Sequence, residues 1–413
     1  MAEDENTQDS PTSPWRRHRR WLVVTAGALA VLLLSGGLLA WTAYRKLDGN
    51  VQSDSATQRL LAGLEAERPS RTAGANGAEN ILLIGSDDRT GANSAYGSAG
   101  GQRSDTTILL HLAADRRRAT AVSIPRDAMV SVPPCELPGG TRTGTRLVQF
   151  NWAYETGGAA CAIRAVEQLS GIRIDHHLIL DFTGFKKMVD AVGGVEVCVP
   201  KAIRDRGARL DLPAGRRTLS GEQALGWVRV RESLGDGSDT QRMGRQQQFL
   251  ASLMRKVQSQ AVLLNPARLW PVLDAATASL KADPGLSSLG ALYDLTWDLR
   301  AMPAADVVFL TAPRRPYRPD PDRDEFVQPQ TSQLFAALRE DRPVAVLEPG
   351  AAPAGAAPGS SSDPTPNPTP SPMSGPSSGP SPSPSAGPGP TAGPTADPVF
   401  EGRRAGSDAC AVH

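Results

Sequence analysis

The hydrophobic pattern changes character several times along the chain. Residues 21–41 (WLVVTAGALAVLLLSGGLLAW) are uncharged and almost wholly apolar, long enough as a helix to cross a bilayer core of about 30 Å. Trp21, Trp41 and Tyr44 stand at its ends, where amphipathic rings favour the headgroup region. Arg16, Arg17, Arg19 and Arg20 precede the run, against Arg45 and Lys46 after it. That bias places the N-terminus in the cytoplasm. A cleaved signal has a shorter apolar core and a small-residue cleavage site, which Ala40-Trp41-Thr42 does not provide. The expectation is a single-pass cell-membrane protein: a cytoplasmic tail over 1–20, a transmembrane helix over 21–44, and the remaining mass outside the cytoplasm.

Residues 45–78 read as a polar connector with some helical spacing at Leu60, Leu61 and Leu64. From 79 to 348 the pattern alternates between strand and helix periods. NILLIGSD (80–87), TTILLHLA (106–113), ATAVSIP (119–125), HLILDF (177–182) and VEVCVP (195–200) read as strands. Cys161–Leu169, 185–192, 220–228 and 244–258 read as helices, the third with Ser220 as N-cap and Gln223 at the capping-box position. Residues 259–347 read as helical and then β. Such alternation predicts an α/β layered domain. From 349 to 398 the chain is a Pro/Ser/Gly/Thr tract with almost nothing to bury, expected to be a disordered, solvated spacer. A tail over 399–413 follows it.

Composition narrows the function. Net charge is +1, so no basic field points to nucleic acid. The four cysteines (Cys135, Cys161, Cys198, Cys410) lack the close spacing of a zinc or redox site. Outside the cytoplasm an even number favours disulfides over free thiols. Three connectivities are open; Cys135–Cys161 with Cys198–Cys410 is the expected one. His176 and His177 begin a strand, where surface and core-edge roles are a better reading than metal binding.

Arginines and aspartates gather at strand ends: Asp87, Asp88 and Arg89, then Arg103 and Asp105, then Arg126 and Asp127. Arg229 and Arg231 are two apart, on one face if extended. Asp239, Arg242 and Gln246 share one helical face, which continues into Phe249, Leu250 and Leu253. Strand-end loops of an α/β sheet converge on a crevice. Paired carboxylates hold hard divalent cations, and guanidinium forks match phosphate oxygens. The chemistry this suits is phosphoryl transfer. For any single Arg/Asp pair an ordinary ion pair is the better reading; for several at loop positions it is weaker. The apolar continuation reads first as core, and alternatively as a pocket for a lipid tail.

These segments, NILLIGSDDR, RSDTTILLHL, SIPRD, NWAYETGG, GIRIDHHLILDFTGFKKMVDAVGGVEV, LSGEQALGWVRVRE and DTQRMGRQQ, occur in the order found in the LytR–CpsA–Psr family. Over residues 79–258 the chain resembles that family, and its overall plan resembles actinobacterial members. The resemblance implies a three-layer α/β/α domain with a mixed central sheet and a hydrophobic polyprenyl pocket. It implies a phosphotransferase that moves an anionic glycopolymer from a polyprenyl diphosphate carrier to the muramic acid 6-hydroxyl of peptidoglycan. Asp87 and Asp105 then correspond to ligands for Mg²⁺ or Mn²⁺. Arg103, Arg126, Arg229 and Arg231 correspond to diphosphate-binding arginines, with Arg89, Arg242 and Gln246 beside them. Arg126, Asp127, Asp239, Arg229 and Arg231 form the catalytic set, with Asp239 or Asp127 as base and Asp236 as a rival to Asp239. The alternatives are a non-catalytic polyprenyl or glycan carrier, or a regulator of envelope assembly.

Overall fold

The computed structural model describes residues 14–72, 75–87, 104–137, 140–230, 239–258, 266–348, 399–407 and 410. Helix α1 (Pro14–Asn50) is 37 residues long, about 55 Å at 1.5 Å per residue. Its apolar run from Trp21 is covered by none of the described residues. The helix continues past the end of that run and docks on the domain. Leu47 is buried, Asp48 Oδ1 accepts from the Leu289 backbone N–H at 2.9 Å, and Asn50 Nδ2 donates to Asp274 Oδ1 at 3.1 Å.

Strand β1 (Gln52–Ser53) and helix α2 (Ser55–Gly63), N-capped by Asp54, follow directly. Arg68 then forms a buried ion pair with Glu167 at 2.6 Å. The segment read as a connector is therefore folded into the domain over most of its length. The sequence concealed this because a two-residue strand has no period, and the partners of Asp54 and Arg68 are far away in the chain.

The meander β2 (Glu79–Ser86), β3 (Ser104–Leu112) and β4 (Ala119–Ile124) forms the middle of the sheet. A small pair, β5 (Met129–Val132) and β6 (Arg146–Gln149), leads into α3 (Phe150–Ser170). This helix begins eleven residues before the expected start at Cys161 and is kinked at Gly157 and Gly158. Disulfide Cys135–Cys161 ties it to the preceding loop, with Cα atoms 5.4 Å apart. A Cβ on Gly157 would meet Cys161 Cβ at 2.7 Å, so the chain has glycine where the bridge passes.

Next come β7 (His176–Asp181), α4 (Phe182–Ala191), β8 (Val195–Val199), the pair β9 (Ile203–Asp205) and β10 (Leu210–Leu212), and β11 (Gly215–Leu219). β8 pairs with β11 outside the central sheet. Helix α5 (Gly221–Arg229) has the expected capping box between Ser220 and Gln223. Helix α6 (Asp239–Gln258), α7 (Pro266–Ser279), β12 (Leu280–Ala282) and α8 (Leu289–Ala301) follow. The chain then forms β13 (Val307–Thr311), the hairpin β14 (Arg314–Tyr317) and β15 (Asp320–Phe326), α9 (Gln330–Arg339) and β16 (Ala345–Leu347). The last strand is β17 (Val399–Arg404).

The central sheet has nine strands in the order β1-β12-β7-β2-β3-β4-β13-β17-β16, parallel and antiparallel mixed. Leu82, Ile84, Leu109 and Val122 point to one face, packed with α3 and α9. Ile81, Ile108, Leu110 and Ala121 point to the other, where residues of α6 and α8 cover them. A further core joins α4, α5 and α6 to β8–β11 around Trp227 and Phe249.

The segment expected as a C-terminal tail forms a strand over Val399–Arg404. β17 lies inside the sheet, antiparallel to β13 and parallel to β16, and Cys410 is bonded to Cys198. The Pro-rich tract, whose expected disorder falls outside the described residues, therefore connects two neighbouring strands.

Candidate active site

The site lies at the edge where β2, β4 and β7 end. β2 and β3 are in register up to Gly85 opposite Thr106, and then Ser86 pairs with Ser104. Asp105 is the extra residue of that bulge, a device that re-aims a side chain. Asp87 follows directly on β2, so the two carboxylates come from adjacent strands at the same edge. Both line a cavity of about 620 Å³.

Arg126, Arg229, Arg242 and Gln246 line the same cavity. Arg126 follows β4, and its guanidinium lies 2.5 Å from Asp105 and 3.1 Å from Asp127. Backbone bonds fix this loop: Asn151 N–H donates to Arg126 O at 3.0 Å, and Asp324 N–H to Asp127 O at 3.1 Å. Arg229 is the last residue of α5, and Arg231, expected on the same face if the segment is extended, lies outside the described residues. The Arg229 guanidinium sits 4.9 Å from the centre of the Phe182 ring, within the range of a cation–π contact.

Arg242 is buried on α6, and Gln246, one turn on, donates from Nε2 to Val228 O at 3.3 Å. Arg245 points elsewhere and donates to Val230 O. Burial lowers its pKa from the usual arginine range, while the Asp205 carboxylate pulls the other way. Arg89, Arg103, Arg231 and Asp236 fall outside the described residues. Asp239 opens α6, with its side chain likewise outside them.

Beyond the charged rim the cavity is greasy. Phe249, Leu250 and Leu253 of α6 face Phe185 and Met188 of α4, with Leu83 and Leu178 of the sheet behind them. The continuation of the α6 face is thus part core and part cavity wall: Phe249 is 1% exposed yet lines the void.

Sequence reasoning missed two contributions. Asp181 lines the cavity while its Oδ1 caps α4 through Gly184 N–H at 2.7 Å; a strand ending in aspartate before Phe-Thr-Gly was the available signal. Arg323 of β15 comes within 3.9 Å of Asp127, and nothing local in the sequence marks that approach.

Asp87 and Asp105 are oxygen donors placed together beside basic side chains, a donor set that fits a hard divalent cation sharing its shell with phosphate. Among the described residues no group of three or more His, Cys, Asp or Glu could form a protein-only metal cage.

Comparisons with known proteins agree with this architecture. The LytR_cpsA_psr family matches residues 46–338. Cell wall biosynthesis protein LcpA of Corynebacterium glutamicum is 33% identical over 318 residues, covering 70% of this chain and 59% of the relative. This chain therefore spans less than two thirds of that protein. Polyisoprenyl-teichoic acid–peptidoglycan teichoic acid transferase TagT of Bacillus subtilis is 28% identical over 294 residues, covering 70% of this chain and 85% of the relative. The solved LytR-Csp2A-Psr enzyme from Actinomyces oris superposes with a TM-score of 0.51 at 24% identity, over 66% of this chain and 93% of that one. By the extent of the family match, the chain belongs to the LytR–CpsA–Psr family.

Proposed function

We propose that this protein transfers a polyprenyl-diphosphate-linked anionic glycopolymer to peptidoglycan, releasing polyprenyl phosphate. The observation that carries the reading is one cavity with two chemistries, arginines and carboxylates at the rim and aromatic and aliphatic side chains behind. That is the shape of an anionic headgroup on a lipid tail. The names of the TagT-type relatives support it.

In this reading the prenyl chain lies along Phe185, Phe249 and Leu253, which fixes the diphosphate at the rim. Arg126 and Arg229 bind its oxygens and stabilise the charge that develops on the leaving phosphate. A sugar hydroxyl of the acceptor attacks the phosphorus that carries the polymer. A new P–O bond forms, the bond to the bridging oxygen breaks, and polyprenyl phosphate takes the electron pair. The hydroxyl proton passes to a carboxylate, Asp127 or Asp239. Asp87 and Asp105 would hold Mg²⁺ or Mn²⁺, which supplies further neutralisation of the diphosphate.

The test is polyprenyl phosphate release and glycan linkage by the full chain in detergent. Arg229→Ala is expected to lower turnover by about 10²–10³-fold, as for loss of one preorganised charge partner, with donor still bound. Full activity in that variant sinks the assignment. Binding without turnover by the unsubstituted protein would instead favour the carrier reading.

A further inference from the structure

The sheet register shows which edge of the domain faces the anchor. Gln52 of β1 pairs with Lys281 of β12, Lys281 with Ile179 of β7, and Ile179 with Ile84 of β2. Counting back along β1 and forward along β7 and β2 puts Asn50 level with Asp181 and Ser86. That is the edge bearing Asp87 and the arginines. The anchor helix therefore joins the fold at the catalytic edge.

It joins as one unbroken helix that docks on the domain. Lys46 Nζ lies 3.2 Å from Asp274 Oδ1, and Leu47, Asp48 and Asn50 make the docking contacts already described. The end of the apolar run, Trp41, is nine residues before Asn50, about 14 Å along the helix. Just above it, Arg45 lies 4.9 Å from the Trp41 ring centre, and Lys46 lies 6.0 Å from that of Trp270 on α7. Trp270 is 38% exposed. Exposed aromatic rings among basic side chains next to a spanning helix suit the headgroup layer.

We infer that the catalytic edge is seated on the anionic phospholipid headgroups of the leaflet from which α1 emerges, with Trp270 in that layer. The cavity mouth then opens at the height where a lipid-linked diphosphate presents its phosphates. What enters the mouth rests on the function proposed above; the seating itself rests on the register, the docking contacts and α1 as a membrane span. An internal contrast is available. Trp297 of α8 is also exposed, but neighbouring Asp298 pairs with Arg116 in the turn between β3 and β4, at the opposite edge of the sheet. Trp297 is thus expected to stand clear of the lipid.

The experiment uses the full chain in phosphatidylcholine–phosphatidylglycerol vesicles, with Trp15, Trp21 and Trp41 replaced by phenylalanine to silence the anchor. Emission from single residues is obtained by difference against Trp270→Phe and Trp297→Phe. Lipids brominated near the headgroup should quench Trp270 by about half and leave Trp297 nearly unchanged; aqueous iodide should do the reverse. Inserting a seven-residue helical segment after residue 41, which lifts the domain by about 10 Å, should abolish the lipid quenching. The inference is overturned if lipid quenches Trp270 no more than Trp297. It is also overturned if shielding of Trp270 from iodide appears only as protein density rises, which would mean contact between copies. Catalysis has no part in the readout, so an inactive protein still answers the question.

Discussion

Phe400→Ala tests the least expected part of the fold. Phe400 is 5% exposed and packs with Val308, Leu310, Leu334, Phe335 and Val346. Truncating a buried phenylalanine to alanine costs about 3–5 kcal/mol, from lost transfer energy plus the cavity left behind. Area gives the same scale: about 200 Å² of aromatic surface at about 25 cal/mol per Å² is roughly 5 kcal/mol. In a domain of this size each kcal/mol moves Tm by about 2–4 °C, so a fall of roughly 10 °C is expected. Val399, its neighbour, is 53% exposed, and Val399→Ala should stay within about 0.5 kcal/mol of the parent. Thermal unfolding of the full chain in detergent, followed by near-ultraviolet circular dichroism, reads both variants. Equal midpoints for the two would refute the placement of the C-terminal strand inside the sheet.

Other perturbations probe the rest of the structure. Glu167→Ala removes the partner of a buried guanidinium, since Arg68 and Glu167 are both buried and the carboxylate also accepts from Ile174 N–H at 3.0 Å; a loss of about 3–5 kcal/mol in urea unfolding is expected. Gly221→Ala would put a Cβ 2.3 Å from Lys186 O, and overpacking of this kind costs about 1–3 kcal/mol, visible as a lower Tm. The His176–Asp283 pair predicts a pH window. The hydrogen bond to Asp283 raises the His176 pKa against the effect of burial. Burial works to raise Asp283, but the bonds from His176 and the His177 and Gly285 backbones outweigh it and lower its pKa. The pair's contribution is therefore full between about pH 4 and pH 6.5. It is lost as pH rises through the raised histidine value or falls through the depressed aspartate value. His176→Asn should flatten the alkaline limb of a stability–pH curve, and an unchanged limb would show that the pair has no such role.

The legible parts of the fold were those with local causes. Apolar runs set β2, β3 and β4 to within about two residues, and Ser220 with Gln223 marked the start of α5 because both halves of a capping box lie within one turn. Charged residues at strand ends were also visible, and the structure brings Asp87, Asp105, Arg126, Arg229, Arg242 and Gln246 to one cavity. What stayed hidden was non-local. β1, β12 and β17 are short strands whose existence depends on partners far along the chain, as in the pairing of Gln52 with Lys281 or Phe309 with Arg403. Tertiary pairing decides such segments, and no periodicity over two to six residues announces it. Arg323 belongs to the same class, since only the docking of the β14–β15 hairpin brings it near Asp127.

The position of β17 also bears on how the protein is made and how it withstands cleavage. A chain synthesised N-terminus first leaves β13 without its β17 neighbour until residues 399–404 emerge, and among the described strands β16 pairs with β17 alone. Exposed strand edges invite mispairing, so the chain is most vulnerable before residues 399–404 are in place. Once finished, the opposite holds. A protease that cuts anywhere in residues 349–398 leaves a C-terminal piece still hydrogen-bonded between two strands and bonded through Cys410 to Cys198. The nicked protein stays in one piece until the disulfide is reduced and the sheet opens.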